Sequence, residues 1–164
     1  MAQTANEWRL YTFTNVYISS MQKGIQTAHV VSELFAECQS SIERLDDLSY
    51  CAQMDILLEW ATHDKTIIVL NGGNQATLMN IHQEMIKFAA ANNYPCTMFR
   101  EDEQSLNGAV TAIGIIIPNE AYNLRYSYML PATQVPDEFV IHAERSYVEQ
   151  NPFLQMLFTA SLAV

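Results

Sequence analysis

"KTIIVLNGGNQATLMNIHQEMIKFAAANNYP", residues 65–95, decides the fold. Its first part, "KTIIVLN" (65–71), is a nearly unbroken apolar run of strand length, the pattern of a strand covered on both faces. "GGN" interrupts the run, and Asn74 stands where a helix N-cap belongs. Beyond it Leu78, Ile81, Met85, Phe88 and Asn92 recur at helical spacing and mark a single stripe. "YPCTMFRED" then supplies another strand, so the stretch reads as strand, helix, strand.

The flanks repeat the theme. "LYTFTNVYI" (10–18) is rich in β-branched and aromatic residues and reads as the first strand. Ser19 or Ser20 caps a helix running to about Gln39, with Ile25, Ala28, Val31, Leu34 and Phe35 as its buried side. "SIERLDDLSYCAQMDILLEWATHD" reads as a short helix or two ending near Trp60, and "AVTAIGIIIP" (109–118) as a fourth strand. The third and fourth strands are joined by the short "EDEQSLNG", which allows antiparallel pairing. The expected class is α/β. It is a four-stranded mixed, mostly parallel sheet with helices on both faces over residues 1–118, and a C-terminal helical extension over 119–164 in the same domain.

In that extension, "NEAYNLRYSYMLPATQVPDEF" holds tyrosines and prolines and reads as irregular, while "ERSYVEQNPFLQMLFTASLAV" reads as a terminal helix broken at Pro152. Phe153, Leu154, Met156, Leu157, Phe158 and Leu162 leave this helix apolar nearly all round. The expected solution is burial against a second copy, giving a homo-oligomer. The alternative is that the helix covers a sheet face of its own chain.

Composition narrows the partners. The chain has 164 residues, 49% of them hydrophobic, enough for one domain with a sizeable core. Its formal charge is −10, from 18 acidic and 8 basic residues, and the basic residues are scattered. Nucleic-acid binding draws on clustered Lys and Arg, so tRNA or DNA is a poor partner, and anionic membranes are disfavoured. Cys38, Cys51 and Cys96 are odd in number and far apart, which points to reduced thiols and the cytoplasm. No signal pattern opens the chain, and "IGIIIP" is too short to span a bilayer. His63, His82 and His142 have no ligand spacing, so no metal is expected. "NGGN" lacks the P-loop lysine and the third Rossmann glycine, and no cofactor is expected. Tyr122, Tyr126 and Tyr128 either stack a purine or pack.

The start of the first helix, "SSMQKGIQTAHVV" (19–31), combines polar groups with a glycine. Gln22, Gln26, His29 and Glu33 fall on one helical face. A helix N-terminus offers free N–H groups to an anion, and Lys23 adds a charge. Gly24 either admits a ligand or packs tightly against the sheet.

These residues carry a resemblance. Gln26-x-x-His29 with Ala28, the strand and helix at 65–95, Asp102, and Val110, Ala112, Ile113 and Gly114 in the last strand are similar to the second-type peptidyl-tRNA hydrolases. The resemblance covers roughly residues 9–118 and implies a small α/β protein with a mixed four-stranded sheet. It differs where the family's lysine would stand. That position is Gln22, with Lys23 one step later, and the loop after Asp102 has no arginine or threonine. The reading that follows is a non-catalytic binder of a small nucleotide-type ligand, similar in role to phage proteins that sequester host immune nucleotides. Ser20, Lys23, Gln26 and His29 would hold it from the helix, and Asp102, Ser105 and Asn107 from the facing loop. The alternative implied by the resemblance is a peptidyl-tRNA hydrolase using Lys23, His29 and Asp102. A structural oligomer without ligand is the third option.

Overall fold

The computed structural model describes residues 7–42, 48–129 and 138–163. The side chains of Cys51, Ser105 and His142 lie outside that description, as do residues 130–137 of the tyrosine- and proline-rich stretch. Strand β1 (Trp8–Thr14) leads into helix α1 (Ser20–Ile42), α2 (Leu48–Glu59) and a π turn (Trp60–Asp64). Next come β2 (Thr66–Asn71), α3 (Gln75–Asn92), β3 (Cys96–Arg100), the single turn α4 (Glu103–Leu106) and β4 (Val110–Pro118). Three helices close the chain: α5 (Asn119–Met129), α6 (Glu138–Glu149) and α7 (Pro152–Thr159).

The protein is α/β with one mixed four-stranded sheet, in the order β2-β1-β4-β3. β1 and β2 pair in parallel across the α1–α2 connection, but β4 is antiparallel to both β1 and β3. Three of the four strands, β1, β2 and β3, therefore run the same way, as expected of a mixed, mostly parallel sheet, although only the β1–β2 pairing is itself parallel. The short β3–β4 connection turns the chain straight back, and β4 then enters between β3 and β1. Every residue of β4 is buried, whereas β2 is buried only at Leu70, and Ile67 is exposed. The strand covered on both faces is thus β4, and the apolar run at 65–71 lies at an edge.

Alternate residues of the central strands enter two separate apolar clusters, as a pleated strand requires. Leu10, Ala112 and Ile116 join Val30, Leu34 and Cys38 of α1 and Leu57 of α2. Tyr11, Phe13, Ile113, Ile115 and Ile117 join Leu78, Ile81, Met85 and Phe88 of α3 and Phe153, Leu154, Leu157 and Phe158 of α7. Asn74 caps α3 as its position foretold, accepting from the Thr77 N–H. Asn92 does not extend the α3 stripe: it is exposed and donates to the Phe88 carbonyl.

The extension departs from its reading in two ways. Residues 119–129 are helical. α7 begins at the expected break, with Asn151 as N-cap and Pro152 in the first turn. Four of its five large apolar residues, Phe153, Leu154, Leu157 and Phe158, are buried within its own chain, with Phe153 edge-on to Phe13 and tilted against Phe88. Burial of this helix therefore does not require a second copy. The chain then pairs with the β2 edge. Asn71 N–H donates to Ser161 O, Ala163 N–H donates to Val69 O, and Leu70 and Leu162 form an antiparallel bridge.

α1 sits differently from its apolar pattern. Its inner ridge is Gln26, Val30, Leu34 and Cys38, with Thr27 beside it, while Ile25 and Ala28 are exposed. Two glycines bracket this contact. A Cβ at Gly114 would collide with Val30 Cγ1, so α1 approaches the sheet where a side chain is missing. A Cβ at Gly24 meets nothing within 4 Å, so tight packing does not explain it. Gly24→Ala is accordingly expected to raise stability by about 1 kcal/mol through helix propensity. Gly114→Ala is expected to lower it by about 1–3 kcal/mol through overpacking. Urea unfolding of the two variants checks both signs.

Candidate functional site

The start of α1 is fixed by a capping box. Ser19 N–H and Oγ each approach Gln22 Oε1, at 2.9 and 3.0 Å, while Gln22 N–H donates back to Ser19 Oγ at 3.3 Å. Gln22, at the position where the resemblance has a lysine, is thus occupied in holding the helix end. Asn15 stops β1 just before: its side chain accepts from Tyr17 N–H, and its own N–H donates to Thr111 O. This ends the strand at Thr14, earlier than the apolar run at 10–18 implied.

Across from α1, β4 carries a bulge. Phe99 pairs with Ala112 and Arg100 with Val110, which leaves Thr111 as the extra residue. Val110 lies in the α3 cluster and Ala112 in the α1 cluster, so a regular strand would send Thr111 away from α1 or break the alternation. The bulge instead aims its hydroxyl at α1, a use to which bulges are often put beside functional sites. Thr111 Oγ1 donates to Gln26 Oε1 at 3.1 Å and lies 3.4 Å from Glu101 Oε1. Gln26 Nε2 donates to the same Glu101 oxygen at 2.6 Å. Gln26 is 8% exposed, and every polar atom of its amide is directed at this cluster. The other oxygen of Glu101 has no partner among the described residues.

The floor below is threonine. The hydroxyls of Thr12 and Thr27 are 3.3 Å apart. Thr14, two residues on along the same strand face, is fully buried, and its hydroxyl has no partner among the described residues. Such a group normally finds one in a folded protein.

The expected residues divide. Gln26 enters the buried cluster. Ser20 is the exposed first residue of α1, and Lys23 is half-buried in its first turns. His29 is exposed and lies flat on Phe99, with ring centroids 4.3 Å apart and planes within 6°. Asp102 and Asn107 bound the α4 turn. Asp102 caps it by accepting from Gln104 N–H, and Asn107 ends it in the left-handed conformation. The residues that sequence reasoning missed are Glu101 and Thr111. Glu101 was visible only as part of the acidic "EDE", and Thr111 reaches α1 through a bulge with no local sequence mark.

The two described cysteines, Cys38 and Cys96, are poor nucleophiles. Burial pushes the Cys96 thiol up to about 12, and it also raises Cys38. A thiol at that value is on the order of one part in 10⁵ thiolate at neutral pH. Among the described residues no three of His, Cys, Asp and Glu come together as a metal site, and no helix is long and apolar enough to cross a membrane. In comparison with known proteins, no family model and no curated protein matches the chain.

Gln26→Leu would deprive Thr111 and Glu101 of a partner at once. Leaving buried polar groups unsatisfied costs about 1–3 kcal/mol. The expected result is a fall of that size in chemical denaturation, partly restored when Thr111→Val is added.

Proposed function

We propose that this chain binds a small nucleotide-type ligand without turning it over, at the junction of α1 with the β3–β4 connection. The scaffold we infer is one similar to the second-type peptidyl-tRNA hydrolases, with helices on both sheet faces. The observation that carries the reading is Glu101. One of its oxygens is held by Gln26 and Thr111, and the other has no partner among the described residues. A carboxylate oriented by two donors is suited to accept from a ribose hydroxyl, as acidic residues do in dinucleotide-binding folds. Lys23 and the backbone N–H groups of Ser20 and Met21, which the capping box does not use, suit a phosphate at the helix start.

Charge favours a small ligand over tRNA. At −10 the chain repels a polyanion along its whole length, whereas one or two phosphates need only local compensation. The loss of a lysine at position 22 to the capping box also weighs against hydrolysis. The role that fits is capture of a signalling nucleotide, in the host cytoplasm if the chain is phage-encoded.

Thermal unfolding with ribonucleotides and their 2′- and 3′-deoxy analogues tests this. Ligand at a hundred times its dissociation constant is expected to add about 2.7 kcal/mol. Glu101→Gln is expected to remove most of that gain, and deoxy analogues are expected to bind at least tenfold more weakly. A flat screen overturns the reading. Robust cleavage of peptidyl-tRNA that disappears in Lys23→Ala replaces it with the hydrolase.

A further inference from the structure

A second candidate site lies on α5, apart from α1. Tyr122, Arg125, Tyr126 and Met129 line a cavity of about 260 Å³. Spaced three or four residues apart, they share one face of the helix. Tyr122 is anchored from behind: its ring stacks on buried Tyr11 at 5.3 Å and meets Phe158 edge-on at 6.0 Å. Tyr128 packs on Phe158 as well. Tyr126, by contrast, is 67% exposed and Met129 is 56% exposed, although both line the cavity.

Arg125 is the polar element. Its guanidinium donates to Tyr122 Oη and to Met129 Sδ, and among the described residues no carboxylate pairs with it. In a chain with 18 acidic residues, a guanidinium held by a tyrosine and a thioether keeps most of its five donors for another acceptor.

We propose that this α5 cavity binds a planar ring bearing one anionic group. The ring would lie against Tyr126 and the Met129 thioether, and the anion would sit on Arg125 beside the Tyr122 hydroxyl. Ring stacking and a bidentate guanidinium contact each suit such a ligand. The volume lies just under the usual range for small-molecule pockets, about 300–1,000 Å³, so a single ring system with its anion fits better than a dinucleotide. The anion can be an aryl carboxylate or a nucleotide phosphate. The site does not depend on the reading given for Glu101.

Calorimetric titration of the full chain with benzoate, AMP, adenosine and inorganic phosphate tests it, with the Glu101→Gln protein used for the AMP arm. Benzoate, AMP or both are expected to bind saturably, which tells carboxylate from phosphate. Adenosine and phosphate alone are expected to bind at least tenfold more weakly. Arg125→Gln is expected to weaken the bound probe at least tenfold. Tyr126→Leu, at an exposed position that folding does not need, is expected to weaken it severalfold, while Glu101→Gln leaves benzoate unchanged. Absence of binding by both ring anions overturns the proposal. So does binding indifferent to Arg125→Gln and Tyr126→Leu, or benzoate binding lost in Glu101→Gln.

Discussion

The structure depends on β4 lying between two antiparallel neighbours with every residue buried. A central strand of this kind has two faces to satisfy, and its alternation divides the protein into two cores. Some of its residues pack in one apolar cluster with α1 and α2, and the others in a second cluster with α3 and α7. Gly114 fits the same constraint, since α1 leaves no room there for a Cβ. The bulge at Thr111 is the one interruption, and it falls where β4 passes the start of α1. The sheet is therefore regular where it serves the core and irregular where it meets the candidate site.

How far the sequence could be read follows from how local each signal was. α3 was legible because its stripe, N-cap and flanking turns lie within one segment and agree with one another. The break before α7 was legible for the same reason. Strand order was not, because the place of β4 between β3 and β1 depends on partners from distant parts of the chain. The face of α1 was misread because apolar periodicity assumes that polar residues point outward. Gln26 and Thr27 point inward, since the sheet offers them threonine hydroxyls and a carboxylate. Residues 119–129 were misread because tyrosines and a following proline outweighed their helical spacing. In the candidate site, Gln26 was singled out by sequence as a ligand-holding residue but is buried on Thr111 and Glu101, whereas Thr111 depends on a register shift that no short pattern announces.

The polar cluster at Gln26 is an unusual place to spend hydrogen bonds if α1 only needed anchoring. Val30, Leu34 and Cys38 already supply an apolar ridge. A satisfied polar group near the same helix adds orientation, because an amide held at both ends cannot rotate. Glu101 is thereby held in one position relative to α1. Such fixing matters little to the sheet and much to a ligand that must be met without rearrangement.

β4 also makes the longest-range pairing of the sheet. Trp8 pairs with Pro118, so the central strand pair joins residues roughly a hundred positions apart, the kind of distant contact that slows folding. β1 and β2 can pair earlier, through the intervening helices, but the other edge of β1 then stays open. Until β4 arrives, that edge presents Leu10, Tyr11 and Phe13 beside unpaired backbone, a template for any extended chain nearby. β4 therefore also covers the edge at which a chain lacking it would be open to pairing with another.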